Sequence, residues 1–505
     1  MVTLIAIPLL LGTASLACNA PARSPGPARQ ATAASVQLTM QAVPRQPSGL
    51  PKALQSTTPV PAPSPTPDWS TPGPVFNYET RSGDTLPALA ARFAVAPAQI
   101  VAGQPLSSNG YLPMGIALRI PNVLEAVSPG VEILPDSELV NSPAASGFDV
   151  LGFVQQAGGY LSGYQETLED DTVLNGAAIV QRVADELSVN PSLLLGLIEY
   201  RSGWVFGSPP SAQDNPYPLG LRIPGRTGLY QELMVAGTQL NRGYYGWREG
   251  TLVDSQFGNG ASLRFHPGLN AGSVAVMHLF TILRPQDRWM ESLYGRGSFP
   301  AQYASLFGDP WARAQAAGPV LPSDLSQPAL ELPFAPGERW SLTGGPHPAW
   351  NAGTPRGALD FSPITNEDPC AVSVRWATAS APGVVVRAGE NAVALDLDGD
   401  GHESTGWVVV YLHLADEELI ATGMPVATGR PLGHPSCEGG RATGKHVHIA
   451  RKYNGEWLAA DGPVPMVLSG WRAVADERNY YGSLVRGEET VTSDSSGRTG
   501  STIQR

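Results

Sequence analysis

Thr443-Gly444-Lys445-His446-Val447-His448-Ile449 is the stretch on which the reading of this chain turns. Two histidines two positions apart, in a β-prone run, carry both imidazoles to one face of a strand. Imidazole is the commonest side-chain metal ligand and a common general base, so one such pair can supply a ligand and a catalytic partner together. An H-x-H triplet arises by chance; its company gives it weight. The chain has 8 histidines, and all but His266 and His278 fall between His347 and His448.

The surrounding region is β-rich. Runs at 373–377, 383–388, 393–397 and 407–414 read as strands separated by Gly- and Pro-containing turns, which predicts an antiparallel all-β domain over 332–487. The polar residues 488–505 read as a disordered tail. Four spots in the domain carry metal-site chemistry: His347 after Gly344-Gly345-Pro346, Asp360 in Ala358-Leu359-Asp360-Phe361, His413 in Tyr411-Leu412-His413-Leu414, and His446-Val447-His448. A catalytic zinc takes three protein ligands from such groups and keeps a position for water, whose pKa it lowers. A base must then accept the water's proton, and a donor must steady the oxyanion.

These four spots, in this order, resemble the lysostaphin-type and β-lytic zinc metallopeptidases, which cut peptide bonds of bacterial peptidoglycan. Most members place the first His four positions before the Asp, and here that slot is Arg356. The β-lytic branch places it about a dozen residues upstream, after Gly-Gly, and 12 residues separate His347 from Asp360. Ser380-Ala381-Pro382-Gly383-Val384-Val385 and Leu468-Ser469-Gly470-Trp471 are similar to the same family. The resemblance covers about 340–486. It implies that His347, Asp360 and His448 hold zinc. His413 and His446 would then act beside it, one activating water and the other steadying the oxyanion, with the two roles undivided. It also lets a Cys370–Cys437 disulfide pin the loop ahead of the pair. The alternative reading, from a different class, is a non-catalytic peptidoglycan-binding or regulatory envelope protein.

The rest of the chain suits an exported, multidomain protein. Its 505 residues suggest two to four domains, and with 56 Gly, 48 Pro and 15% charged residues it is loop-rich. A net charge of −12 argues against a general nucleic-acid binder. The apolar run at 4–16, followed by small residues and Cys18, reads as an export signal over 1–18. Ser15-Leu16-Ala17-Cys18 resembles a bacterial lipoprotein cleavage site, which makes Cys18 the lipidation candidate; no basic residue precedes the run, and Ser15 stands where Leu is usual. With Cys18 set aside, the remaining cysteines, Cys370 and Cys437, can pair in an oxidising compartment. Residues 19–76 read as a Pro-rich disordered tether.

Two further units precede the β domain. Over 77–122, a strand, a Ser82-Gly83-Asp84 turn, a helix at 86–93 capped by Asp84 or Thr85, a second short helix and a closing strand form a small βααβ unit. It resembles a LysM module, which implies binding of glycans containing N-acetylglucosamine by residues within 77–122. After a linker at 123–146, residues 147–324 turn helical. The helix at 176–187 is capped by Asn175, and Asn190-Pro191 opens another. The segment from Val189 through Tyr200-Arg201-Ser202-Gly203 resembles the lysozyme-like lytic transglycosylases, whose catalytic acid stands immediately before Ser-Gly. Here Arg201 occupies that place and cannot deliver a proton. Glu199 lies about 200° away around the helix. The domain therefore reads as an inactive relic, with an active glycosidase using Glu199 or Glu166 as the alternative. His278, in an apolar helix, reads as a satisfied core residue, and His402 and His434 read as loop residues. Asp396, Asp398 and Asp400 resemble the start of a calcium loop, though an Asp-Gly hairpin turn explains the run equally well.

Overall fold

Asn175 accepts the backbone N–H of Ala178 and starts the helix Gly176–Leu187, whose Ile179, Val183 and Leu187 are fully buried. Asn190 caps Pro191–Ser202 in the same way, and Gly203 ends it in a left-handed conformation (φ 68°). Around these two helices pack Leu229–Glu249 and Ala271–Leu283, both with long buried faces. Together they form the helical core of the middle of the chain.

The computed structural model describes residues 74–209, 211 and 213–505. The expected export signal, Cys18 and nearly all of the Pro-rich tether lie outside the described residues. Among the described residues no helix is long and apolar enough to cross a membrane.

The small unit has a three-stranded sheet, with Ala117–Pro121 between Val75–Glu79 and Val101–Ala102. Its helix Leu86–Phe93 is capped by Thr85. The expected second helix is one 3₁₀ turn, Pro97–Gln99, and the strand Val101–Ala102 is an addition. The first strand starts inside the expected tether because Phe76 packs on Phe93, with ring centroids 5.1 Å apart.

Two boundaries differ from the sequence reading. Residues 123–146 are not a linker: Ile133, Leu134, Leu139 and Val140 are buried in the helical core. Buried Glu138 accepts from Tyr303 Oη at 2.5 Å and binds Arg313. The segment folds in the 3₁₀ turns Asp136–Glu138 and Pro143–Ala145, too short to show a helical period. Residues 488–505 are not a disordered tail either. Glu489–Thr492 pairs with Gly482–Arg486, and Thr502–Gln504 adds an edge strand beside Arg339–His347.

The β region is built on a 9-stranded antiparallel sheet. Its order is Pro425–Val426, Gly383–Gly389, Ala392–Asp396, Trp407–Leu412, Val447–Tyr453, Ala358–Pro363, Arg339–His347 and Thr502–Gln504, with Glu456–Trp457 paired to Val447–Tyr453. Of the strand expected at 373–377, only Ala377–Thr378 forms, outside this sheet. Alternation divides the sheet's faces. Val393, Leu395, Val409, Tyr411, Val447 and Ile449 enter the β core. Ala394, Val408, Val410 and Ala450 face the helices. The small residues let the helices approach, and each buried Val contributes about 1.5–3 kcal/mol.

His278 is a core residue, as its apolar helix indicates. Its Nδ1 accepts from Ser255 Oγ (2.8 Å) and its Nε2 donates to Gln239 Oε1 (3.1 Å). Burial, aided by Arg242, brings its pKa down to about 4. An unfolded His titrates near 6.5. This stability is therefore complete above pH 6.5 and is lost as the pH falls toward 4, by about 2 kcal/mol at pH 5. Urea unfolding at pH 7 and pH 5 should show a smaller acid loss in His278→Gln than in the parent; an equal loss would refute the assignment.

Candidate metal centre

The His pair sits where the central strands meet. His448 lies directly opposite Leu412 on one neighbouring strand and Asp360 on the other. Asp360 in turn lies opposite Gly344. A Cβ at Gly344 would stand 2.4 Å from Asp360 Oδ2, so the glycine makes the space the carboxylate occupies. The register then shifts between Gly344 and His347, which turns His347 toward the same place.

Three atoms converge there. His347 Nε2 and His448 Nδ1 are 3.1 Å apart, and each is 3.3 Å from Asp360 Oδ1. The other ring nitrogens fix the tautomers, because carbonyls only accept. His347 Nδ1–H donates to Gly345 O (2.8 Å), and His448 Nε2–H donates to Ala349 O (2.9 Å). Two lone pairs and a carboxylate oxygen therefore face one another. Asp360 Oδ1 is buried without a hydrogen-bond partner. Such an arrangement is costly unless a cation completes it. A tetrahedral shell with ligands at ~2.0–2.1 Å has edges of about 3.3 Å, and the donors are two nitrogens and one oxygen, so these residues fit zinc.

The electrostatics agree. Burial opposes the charge on Asp360, but the facing imidazoles of His347 and His446 outweigh it and hold its carboxyl well below the ordinary range. Burial pulls His347 down, yet Asp360 raises it overall. Burial lowers His448.

His413 and His446 stand beside the three. Their ring centroids are 4.5 Å apart, and His446 Nε2 is 3.7 Å from Asp360 Oδ1. His413 follows its strand in a left-handed conformation (φ 64°), uncommon for a non-glycine residue and frequent at functional sites. Its Nδ1–H donates to Glu438 O (2.7 Å), and that of His446 donates to Gly444 O (2.8 Å). Both rings thus keep Nε2 as a proton acceptor. Burial, with His446 and His448 beside it, brings His413 down to about 4, so it is neutral at pH 7.

The supporting loops are tied down. Cys370 and Cys437 form a disulfide, next to the Glu438 carbonyl that orients His413. The carbonyl that orients His448 belongs to Ala349. The loop following it is held against the helix Leu229–Glu249 through Asn351 Nδ2 and Thr238 Oγ1 (2.8 Å). A groove of about 800 Å³ opens over the histidines. One wall includes Ser495, Ser496 and Gly497, from the segment expected to be disordered. Tyr480 stacks on His347 with centroids 4.2 Å apart. No motif marked Tyr480; its place is visible only once the strands are paired.

The other candidates lie elsewhere. Arg356 donates to Asp476 O and lines a separate cavity. Glu199 accepts the backbone N–H groups of Val205 and Phe206. Glu166 accepts from Tyr164 Oη and from the N–H groups of Leu229 and Tyr230. Arg201 donates to Leu219 O. His266 packs on Phe76, His434 joins Glu418, and neither meets the metal centre. The oxygens of Asp396, Asp398 and Asp400 lie within 4.8 Å of one another. Asp396 accepts from the N–H groups of Asp398, Gly399 and Gly401; Asp398 accepts from Asp400 N; Asp400 accepts from His402 N and Thr405 Oγ1. The hairpin-turn alternative accounts for all three carboxylates.

A family model described as the LasA N-terminal domain matches residues 132–320, the helical stretch together with most of the expected linker. Protease LasA of Pseudomonas aeruginosa is 27% identical over 315 residues, spanning 58% of this chain and 71% of the relative. Protease LasA from a second strain is 28% identical over 319 residues, with the same two shares. Among solved structures, the deep-sea M23 metalloprotease pseudoalterin aligns at 23% identity and TM-score 0.29, over 35% of this chain and 99% of its own. The catalytic domain of lysostaphin from Staphylococcus simulans aligns at 20% identity and TM-score 0.18, over 25% and 89%. The chain is similar to Protease LasA, and its middle region to the N-terminal domain of that protein.

Proposed function

We propose that this chain is an exported zinc metallopeptidase that hydrolyses peptide bonds of bacterial peptidoglycan. The observation that carries the reading is the His347–Asp360–His448 triangle, with its orphaned carboxylate oxygen and two fixed tautomers. Similarity to Protease LasA supports proteolysis. A zinc ion held by His347, Asp360 and His448 would supply Lewis acidity toward the scissile carbonyl and the attacking water. The Nε2 of His413 or His446 takes the proton from that water; once protonated, it can return it to the leaving amine. The other imidazole would steady the oxyanion in its doubly protonated form, donating from Nε2–H while Nδ1–H stays on its carbonyl. The disulfide-held loop keeps the His413 ring in place through Glu438 O.

The small unit is proposed to hold glycan, as its LysM resemblance implies. Gly83, Thr85, Asn109 and Tyr111 share a cavity of about 710 Å³ with Trp457 and Asp461 of the β region. Glycan held there would raise the local concentration of substrate. The helical region is proposed to be catalytically silent, since backbone N–H groups already engage Glu199 and Glu166.

The test is incubation of the full chain with purified peptidoglycan. New amino termini should appear, stop on chelation and return with zinc, while no new reducing ends form. Zinc-loaded protein that releases no amino termini would refute the peptidase reading. New reducing ends that vanish in Glu199→Gln would refute the silent-domain reading.

A further inference from the structure

The charged groups lining the groove are matched, with one exception. Asp360 faces three imidazoles. Glu367 pairs with Lys445 at 2.9 Å and also accepts from Thr365 Oγ1 and Val374 N. Arg441 lines the same groove, and among the described residues it has neither an ion pair nor a side-chain hydrogen bond.

The backbone on both sides of Arg441 is anchored beside the histidines. Cys437 is bound to Cys370, and Glu438 both orients His413 and accepts from Asn391 Nδ2 at 2.9 Å. A Cβ at Gly440 would stand 3.9 Å from His413 Cε1, so the backbone just before Arg441 runs against a catalytic imidazole. On the far side, Lys445 N donates to Pro369 O (2.6 Å) and its Nζ to Asp368 O (2.7 Å). Residues 441–444 are therefore a short arch anchored at both ends. Tyr480, which stacks on His347, lines the same groove as Arg441. An unpaired guanidinium so placed presents a planar fork of donors, whose geometric match is a carboxylate.

We infer that Arg441 is a specificity-determining residue that binds a free carboxylate on the peptide substrate, next to the scissile bond. The chain then favours acidic peptides over neutral ones such as glycine runs. This rests on the peptidase reading above. The carboxylate can come from an acidic side chain or from a nearby chain terminus, and both present the same fork to Arg441.

Three synthetic peptides separate these sources. One carries an acidic side chain beside the cleaved bond and an amidated terminus. One carries a neutral side chain and a free C-terminal carboxylate. One has both groups as carboxamides. The zinc-loaded full chain should cleave one of the first two with kcat/KM at least ~10-fold above the third, the scale of a charge-assisted hydrogen-bonded pair. In Arg441→Gln that ratio should fall close to one, mainly through KM, while Arg441→Lys keeps part of it. Arg441 is exposed, so the variants should match the parent in zinc content and unfolding midpoint. A parent that opens peptidoglycan but shows no preference, or a preference that Arg441→Gln leaves intact, overturns the inference alone. Zinc-loaded parent that leaves peptidoglycan intact overturns the peptidase reading and the inference with it.

Discussion

Asp360→Ala is expected to strip zinc from the full chain and to abolish release of amino termini from peptidoglycan. Asp360 Oδ1 is the corner shared by two edges of the ligand triangle, 3.3 Å from each imidazole nitrogen. It is also the only formal negative charge among the three proposed ligands, so its loss would leave two neutral imidazoles to hold a divalent cation. Loss of a second-shell partner costs about 10–100-fold in affinity or activity, and loss of a ligand should exceed that. His413→Ala and His446→Ala provide the contrast. Their Nε2 atoms lie outside the triangle, so these variants should keep about one zinc per chain while losing turnover. Elemental analysis beside an amino-terminus assay reads both quantities. Full zinc content in Asp360→Ala would sink the ligand assignment. Zinc loss in both histidine variants would sink the division between ligands and catalysts.

The sequence offered these five residues as candidates through their residue types and the family resemblance, and the fold brings all five to one groove. His448 and Asp360 face one another because Val447–Ile449 and Leu359–Phe361 pair in register. The use of His347 in place of Arg356 rested on a resemblance, and the bulge after Gly344 is its physical counterpart. What the sequence did not disclose is held together without periodicity. Thr502–Gln504 joins the sheet through backbone hydrogen bonds and one buried apolar side chain, Ile503, which leaves no pattern to read. Ile133, Leu134, Leu139 and Val140 reach the helical core from 3₁₀ turns and irregular chain. The second face of the central sheet was also hidden. Ala394, Val408, Val410 and Ala450 read as ordinary strand residues, yet they are buried by helices more than a hundred residues upstream. A fragment covering 332–505 would uncover that face, so the metal site is best assayed in the full chain.

The contact that joins these separately read segments sets the second large expectation: Arg248→Met should destabilise the chain by about 3–5 kcal/mol, the range for removing one member of a buried ion pair. Arg248 is near the end of the helix Leu229–Glu249, and its side chain is 9% exposed. Its Nε is 3.1 Å from Glu456 Oε1 in the β region, and its Nη2 is 3.1 Å from Asp136 Oδ2 in the segment that reads as a linker. It also donates to Ser82 O in the small unit and to Tyr244 Oη at 3.0 Å. The Glu456 and Asp136 carboxylates outweigh burial and keep the guanidinium protonated. Methionine fills similar volume, so the loss falls on the stranded partners. Glu456, with a side chain only 3% exposed, is already pushed up to about 7 by burial, so without Arg248 it must either stay charged with only Tyr244 Oη as a donor or take up a proton. If that stranded charge is the cause, Glu456→Gln added to Arg248→Met should recover a substantial part of the loss, since replacing both members of a buried pair is far milder than breaking it. Urea unfolding of the four proteins completes the double-mutant cycle. A single-variant loss below about 1 kcal/mol, the range of an exposed pair, would mean that water reaches this junction and that the segments are joined by apolar packing instead.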